Sequence, residues 1–478
     1  MRILEHLEPK NVFYFFEEIS RIPRGSYNEE EISNYLVNFA KERNLEYIQD
    51  DLFNVIIFKE ASKGYEDIDP IIIQGHMDMV CEKNADVDKD MSKEGLDLEV
   101  KDGFVWAKGT TLGGDDGIAV AYALALLDSD TIKHPRLEFV CTVSEEVGMD
   151  GAQFIDCSSL KGHTFINIDN DEEGKVLASC AGGGKADVSL SVVRQELDWP
   201  KAQITISGLL GGHSGAEIHK GRASSQELMG RILRRCYYTS DLRLVSCVNG
   251  SKDNAISREG TMVVATQNIN ALKANVKILE KEIHQEYKGI DSDIHFDVLQ
   301  ISSDEKPLDQ LSTCKVISLL TSLPQGIQKM SKEFDGFVET SLNWGVATLK
   351  GDRFDMQAAL RSSVSASYDQ LVQKVSWIAQ SYGASIEMHG EYPAWQWVEQ
   401  SNLRNKIVKI YKELFDKDLE ICTIHAGVEC GLFADKIPNM DAISMGPNIF
   451  DIHTPNEHLD IDSVKRTWEF LVKIIETK

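Results

Sequence analysis

No apolar run in the 478-residue chain is long enough to cross a bilayer. The longest, Gly117–Leu127, spans about eleven residues, against the roughly eighteen that a helical span requires. Met1–Lys10 carries Glu5 and Glu8 and no apolar stretch, so no secretory signal is expected. Cysteine pairing is missing too. The nine cysteines are an odd number, scattered from Cys81 to Cys430, and none stand at CxxC spacing. Several fall in apolar strand-like runs, which reads as buried thiols of a reducing compartment, and the expected location is cytoplasmic. Positive charge is scarce: 50 Lys+Arg face 76 Asp+Glu, for a net charge of −26. So acidic a chain argues against nucleic acid, which needs a basic surface to displace counterions, and against an anionic membrane surface. Small neutral or cationic partners, metal ions or simple solubility remain. There is no long repeat, low-complexity tract or Pro-rich linker.

What is present is the composition of a folded protein, 42% hydrophobic and 26% charged, with length for two or three domains. The first part alternates helices and strands. Ile32, Tyr35, Leu36 and Phe39 recur at helical spacing over Asn28–Ala40, with Asn28 as the expected N-cap. Buried strands are expected at Val55–Phe58, Ile71–Ile73, Leu137–Val143 and Thr164–Ile168. Gly117–Leu127, apolar nearly all round, suits a helix buried against a sheet. From about Lys185 half-exposed strands (Ala202–Ser207, Thr261–Thr266) and polar-faced helices (Ala271–Tyr287, Ser367–Ser381) suggest an α+β insert. After Pro393 the earlier pattern returns, with helices at Leu403–Phe415 and Ser463–Ile475 and a short strand at Ala442–Met445. The expected organisation is an α/β domain made of residues 1–184 and 391–478, interrupted by a second domain at 185–390.

Four segments rich in His and acids follow buried strands: Gly75-His76-Met77-Asp78, Ser144-Glu145-Glu146-Val147-Gly148, Asp169-Asn170-Asp171 and Asp451-Ile452-His453. Open α/β sheets bind ligands beyond the carboxyl ends of their strands. If the four strands are parallel neighbours, these residues converge on one rim. A fifth segment, Thr111-Leu112-Gly113-Gly114-Asp115-Asp116-Gly117, opens the buried helix, its glycines allowing close backbone approach and its carboxylates lying near the positive helix end. Histidine with several carboxylates and no thiolate is a ligand set for Zn²⁺ or a similar divalent ion. Alone, each segment has an ordinary explanation: a hydrogen-bonded His–Asp pair, a solvated Glu–Glu pair, a helix N-cap. Their coincidence on one predicted rim raises the metal reading. Gly182-Gly183-Gly184-Lys185 fails as a phosphate loop, because residue 179 is Ser and Ala186 stands where Ser or Thr belongs. HExxH, G-x-S-x-G and a βαβ GxGxxG are absent.

Gly75–Val80, Leu112–Gly117, Ser144–Met149 and Asn167–Asp169 resemble the metal motifs of the M20 dinuclear zinc peptidases. The details are closest to the aminoacyl-histidine dipeptidase branch, also called cytosolic nonspecific or beta-alanyl-histidine dipeptidase. The likeness runs through Gly211-Gly212-His213-Ser214-Gly215, Asn254-Ala255-Ile256, Arg361-Ser362-Ser363, His425–Gly431 and His453-Thr454-Pro455, nearly the whole chain in order.

The resemblance implies a zinc-exopeptidase-like α/β catalytic domain, its mostly parallel sheet flanked by helices, with an inserted α+β lid domain. It implies two Zn²⁺ per chain, with Mn²⁺ or Co²⁺ as substitutes. His76 and Asp169 would bind one ion, Glu146 and His453 the other, and Asp115 would bridge them. Asp78 would orient His76, and Glu145 would be the general base for a dinuclear-metal-bound hydroxide. The charges of two Zn²⁺, three carboxylate ligands and one hydroxide cancel, and the ions lower the pKa of water from about 15.7 towards roughly 7. His213 matches the family's oxyanion-stabilising histidine. Asn254 and Arg361 match positions that hold the substrate carboxylate or the reacting centre, and Glu429 one that meets a substrate ammonium. His425, His219 and Asp171 read as structural. Departures are small: Gly114-Asp115-Asp116 stands where relatives often have Ala-Asp-Asn, and His453-Thr454-Pro455 where many have His-Ser-Pro.

The expected function is metal-dependent hydrolysis of unblocked dipeptides, Xaa-His and broader, by a homodimer with small dipeptides as its partners. The rival within hydrolases is an M20-type carboxypeptidase or N-acyl amino-acid deacylase, for which an ammonium-binding Glu429 makes no sense. A metal-binding scaffold protein is the non-enzyme alternative. It predicts lost ligands or a lost base, whereas all seven candidate positions (His76, Asp78, Asp115, Glu145, Glu146, Asp169 and His453) are filled.

Overall fold

Ile71–His76 and Leu137–Thr142 are buried along their whole length, as strands covered on both faces must be. In the computed structural model, which describes residues 2–478, they stand side by side in an eight-stranded sheet. The sheet order is Glu46–Gln49, Val55–Lys59, Leu137–Thr142, Ile71–His76, Thr164–Asn167, Asp441–Ser444, Lys175–Cys180 and Glu420–Ile424. The four strands from Leu137–Thr142 to Asp441–Ser444 are parallel neighbours. Register pairs His76 with Thr142, and Gln74 with both Val140 and Asn167. The carboxyl ends are thus level, and the segments that follow three of these strands (Met77-Asp78, Ser144–Gly148, Asp169–Asp171) leave from one edge.

The helix Gly114–Asp128 packs on this sheet, buried from Gly117 to Leu127. Its Tyr122 hydroxyl donates to Val464 O at 2.8 Å and its ring stacks on Trp468, tying it to the closing helix Ile461–Glu476. Asp460 caps that closing helix by accepting from Ser463 N. One expectation fails here: the second helix starts at Glu30, and Asn28 gives its side-chain amide to Ser92 O instead of capping it. These elements form a compact unit of Met1–Ser179, Trp397–Thr423 and Val428–Lys478.

The second unit is Cys180–Gln396 with Ile424–Gly427. Its sheet is antiparallel, in the order His295–Ile301, Lys201–Ser207, Gly260–Thr266, Leu242–Asn249, Val338–Lys350, Arg353–Ser362, Gly182–Ser191 and Ser385–Tyr392, with Gly326–Met330 added beside Val338–Lys350. Lys201–Ser207 alternates buried and half-buried residues, the period of a sheet wet on one side. The helices Ser225–Ser240, Ile269–Glu286, Gln310–Ser322 and Ser365–Ser381 share one core with it around Trp344. Six of the nine cysteines are buried; Cys81 and Cys314 are exposed.

Trp344 is fully buried and donates its indole N–H to Pro324 O. Trp344→Ala is expected to cost about 3–5 kcal/mol, read as a lowered denaturant midpoint of the second unit. Trp377→Ala, at a residue 76% exposed, should stay within about 0.5 kcal/mol of the parent.

Candidate metal centre

His76 is the last residue of its strand, and Asp78 follows in the turn beyond it. Both are buried. Asp78 Oδ1 lies 3.3 Å from His76 Nδ1, close enough for an ion pair although not aligned as a hydrogen bond. The same carboxylate accepts from Ser26 Oγ at 2.8 Å and from two backbone amides, Glu145 N at 3.1 Å and Glu146 N at 3.3 Å. Burial works to raise the Asp78 pKa, but His76, Ser26 and the Glu145 amide outweigh it and hold it below the usual carboxylate range. Asp78 therefore positions three site residues rather than the His76 ring alone. Glu145 and Glu146 are aimed by Ser144, whose φ of 55° turns the chain sharply after the strand. The buried carboxylate of Glu29 holds that turn, accepting from Ser144 N and Ser144 Oγ.

Asp115 stands between two imidazoles. Its Oδ1 is 3.1 Å from His76 Nε2, and its Oδ2 is 3.2 Å from His453 Nε2. His453 Nε2 is also 3.0 Å from the Glu146 carboxylate, and Asp169 Oδ1 is 3.8 Å from His76 Nε2. Three sets of ligand atoms draw close enough to hold a metal ion: His76 with Asp116 and Asp169; His76 with Glu145 and Glu146; Asp115 with Glu146 and His453. The structure thus brings together His76, Asp78, Asp115, Glu145, Glu146, Asp169 and His453. It adds Asp116, whose buried carboxylate accepts His76 N–H at 3.2 Å. The His453 side chain is 45% exposed and that of His76 1% exposed, so the centre opens to solvent on the His453 side.

The electrostatics match the donor chemistry. Burial, with the neighbouring Glu429, Glu146 and Asp115 carboxylates, pushes Glu145 up to about 8 against the pull of His76. Burial and nearby acids also raise Asp169. Hydrogen bonds to Asp115 and Glu146 raise His453 to about 10. The imidazoles thus favour carrying protons, as the local counter-charges in a field of carboxylates. A divalent cation answers the same need, and an all-nitrogen-and-oxygen donor set with no thiolate suits Zn²⁺, Mn²⁺ or Co²⁺.

Glu429 lies beneath this centre, at the start of the Cys430–Lys436 helix. Its Oε2 accepts from Gln74 Nε2 and from Thr142 Oγ1, while Oε1 is buried with no hydrogen-bond partner. Gln74 in turn accepts from Asn167 Nδ2 at 2.7 Å, so side chains of three parallel strands carry it. Burial pushes the Glu429 carboxyl up to about 7.

His213, Asn254 and Arg361 belong to the second unit. His213 sits on the short strand Gly212–His213, paired with Ala255–Ile256. Its Nδ1 accepts from Gly215 N at 3.3 Å and Ala216 N at 3.0 Å, so the proton of the neutral ring resides on Nε2. Burial, then the Arg361 charge, lowers its pKa and keeps that ring neutral. Arg361 Nη1 donates to the Tyr392 hydroxyl at 2.9 Å, and its buried Nε has no partner. Arg361 and His213 flank Gly215, where an added Cβ would fall 3.0 Å from Arg361 Nε and 3.1 Å from His213 Cε1. The Asn254 side chain is exposed.

The family model for peptidase family M20/M25/M40 matches residues 72–477. The chain belongs to this family. It is 35% identical to the cytosol non-specific dipeptidase of Escherichia coli (strain K12) over 480 aligned positions, covering 100% of this chain and 99% of the relative. The crystal structure of aminoacylhistidine dipeptidase from Vibrio alginolyticus superposes with a TM-score of 0.93 at 35% identity, covering 99% of this chain and 97% of that one. Aminopeptidase PepT from Bacillus cereus ATCC 10987, 16% identical over 98% of both chains with a TM-score of 0.58, shares the fold. The M20 fold accounts for both units of the chain, the α/β unit with its parallel strands and the antiparallel one.

Asp78→Asn would keep the side chain's size while turning an N–H₂ toward groups that now donate to it. The expected result is a 10- to 100-fold loss of divalent-metal affinity, of the order seen when groups orienting metal ligands are removed, measured by competition with a chromogenic chelator.

Proposed function

We propose that this M20 member hydrolyses the peptide bond of unblocked dipeptides, Xaa-His among them, at a centre holding two Zn²⁺. The observation that carries the reading is Asp115, each of whose carboxylate oxygens faces the imidazole of a different ligand set. His76 with Asp169 would hold one ion and Glu146 with His453 the other, with Asp115 shared. When bound, the ions would acidify a water and polarise the scissile carbonyl.

The chain's own side chains do the rest. Glu145 is the general base: it takes a proton from the water that attacks the carbonyl carbon and passes it to the amine nitrogen as the C–N bond breaks. Its carboxylate lies close to the ligand atoms of His76 and Glu146, beside the proposed ions, which suits the role. Two backbone amides held by Asp78 fix its position. His213, protonated at Nε2, is the donor to the oxyanion. Arg361, with an unpartnered buried Nε, takes the substrate carboxylate together with Asn254. Glu429 takes the free ammonium, for which its partnerless Oε1 is an available acceptor. This last assignment favours dipeptides over N-acyl amino acids. A cytoplasmic homodimer is part of the proposal, and the cytosol relative supports the location. No described helix is long and apolar enough to cross a membrane.

Ala-His should be hydrolysed and N-acetyl-His left intact in a metal-loaded assay; cleavage of the blocked compound alone would remove the dipeptidase reading. Chelation should abolish turnover and added Zn²⁺ restore it. Glu145→Ala should lower kcat by about 10²–10⁴-fold while elemental analysis still finds the metal; normal turnover in that variant would take the base role from Glu145.

A further inference from the structure

Glu457 lies four residues beyond His453 and is buried, and among the described residues no Lys or Arg forms a salt bridge with it, Arg24 acting on it only through its charge. Its carboxylate instead accepts from four consecutive backbone amides: Leu112 N at 2.8 Å and Gly113 N at 3.0 Å on Oε2, Gly114 N at 2.8 Å and Asp115 N at 3.4 Å on Oε1. These bonds use the acceptor capacity of both oxygens, so none is left for a metal ion. They also meet a need of the helix Gly114–Asp128. Asp115 and Asp116 depart from helical geometry there, so the amides of this irregular first turn have no intrahelical partner, and Gly113 before it has no side chain to offer.

Arg24 grips the same turn through its carbonyl groups. Fully buried, it donates from Nη1 to Met77 O at 3.0 Å and Asp78 O at 3.1 Å, and from Nη2 to Gly113 O. One guanidinium therefore joins the turn carrying Asp78 to the turn carrying Asp115. The glycines of Gly113-Gly114-Asp115-Asp116-Gly117 make room for this grip. A Cβ at Gly113 or at Gly117 would fall 2.5 Å from Arg24 Nη2, and one at Gly114 would fall 3.3 Å from both Glu457 Oε1 and Ile449 Cγ2. What approaches this backbone so closely is the protein itself.

We propose that Glu457 and Arg24 are positioning residues for the metal centre, locking the Leu112–Asp115 turn to the His76–Asp78 and His453 turns so that Asp115 faces both ligand sets. The inference rests on the two-metal reading above. Neither residue touches substrate or metal. Glu457 couples Asp115 to His453 across more than 300 residues of chain, and Arg24 couples Asp115 to His76. A carboxylate held by amides and a guanidinium held by carbonyls add opposite charges behind a centre already crowded with acids, so the clamp gives rigidity without more repulsion.

The test is Co²⁺ titration of the metal-free full chain, followed by calorimetry and by the visible absorption of the bound ion, on the parent, Glu457→Gln and Gly114→Ala. Glu457→Gln turns one acceptor into an N–H₂ facing amide donors. Gly114→Ala presses a methyl on Glu457 Oε1 and Ile449 and substitutes no ligand residue, so it keeps the proposal testable if the first variant folds poorly. The expected result is a 10- to 100-fold weaker Co²⁺ affinity and an altered spectrum in Glu457→Gln. Gly114→Ala should shift the same way by less. In both, kcat should fall with KM unchanged and recover part of its loss at high Co²⁺. Parent-like affinity and spectrum in both variants, with only the melting temperature of the metal-free chain lowered, would make Glu457 a helix cap and overturn the proposal. A parent chain that binds no Co²⁺ would overturn the two-metal reading and this inference together.

Discussion

Carboxylates brought together out of water raise one another's free energy, and the first unit is organised around holding several of them in that condition. Asp78, Asp115, Asp116, Glu145, Glu146, Asp169 and Glu429 crowd the carboxyl ends of four parallel strands. Among the described residues, no Lys or Arg ion pair reaches Asp115, Glu145, Glu146 or Asp169. The compensation comes from elsewhere. Backbone amides satisfy Asp78, imidazoles face Asp115 and Glu146, and Gln74 and Thr142 donate to Glu429. Side-chain and backbone dipoles stabilise negative charge without adding mobile positive charge, which leaves the acids available to a divalent ion. The one arginine buried nearby, Arg24, spends its bonds on carbonyl oxygens, so it shapes the centre without neutralising it.

Much of this was legible before any coordinates, for a definite physical reason. Strands covered on both faces read as short apolar runs, and the residue that breaks the run marks the edge where ligands bind; Ile71-Ile72-Ile73 leading into His76 and Leu137–Val143 leading into Glu145 are such cases. The less legible contacts are those that join distant parts of the chain. Arg24 reaches Met77 from 53 positions away, and Glu457 reaches Leu112 from 345; no spacing rule connects them. Asp115 and Asp116 are adjacent and chemically alike. Only the path of the backbone decides that one faces two imidazoles while the other turns to the His76 amide. The glycines around them pointed to a close approach, and the approaching groups turn out to be Arg24 and Glu457.

In the second unit, strands of strict alternation and the helices with a clear polar face stood out in the sequence, whereas Ser225–Ser240 and Gln310–Ser322 did not. Both bury polar residues beside apolar ones: Ser225 and Gln226 in the first, Ser312 and Thr313 in the second. The stripe of Gln310–Ser322 is therefore blurred at the level of residue type, whereas Ser225–Ser240 carries a clear apolar face that the expected elements leave out. His213 shows the opposite case. Its place in a Gly-rich turn is visible in sequence, but its tautomer follows from two amides that only the folded turn aims at Nδ1.

The first unit draws its final pieces from the end of the chain. Strand Asp441–Ser444 completes the run of parallel strands, and His453 and Glu457 follow it. During synthesis, His76, Asp115, Glu146 and Asp169 leave the ribosome some 300 residues before His453 does, and all of Cys180–Gln396 is made in between. For that interval the nascent chain carries a cluster of acids with its closing histidine and its amide-bound carboxylate still unmade. Assembly of this cluster therefore comes late in synthesis, waiting on the segment that carries His453 and Glu457 rather than on the folding of the segment that supplies most of its acids.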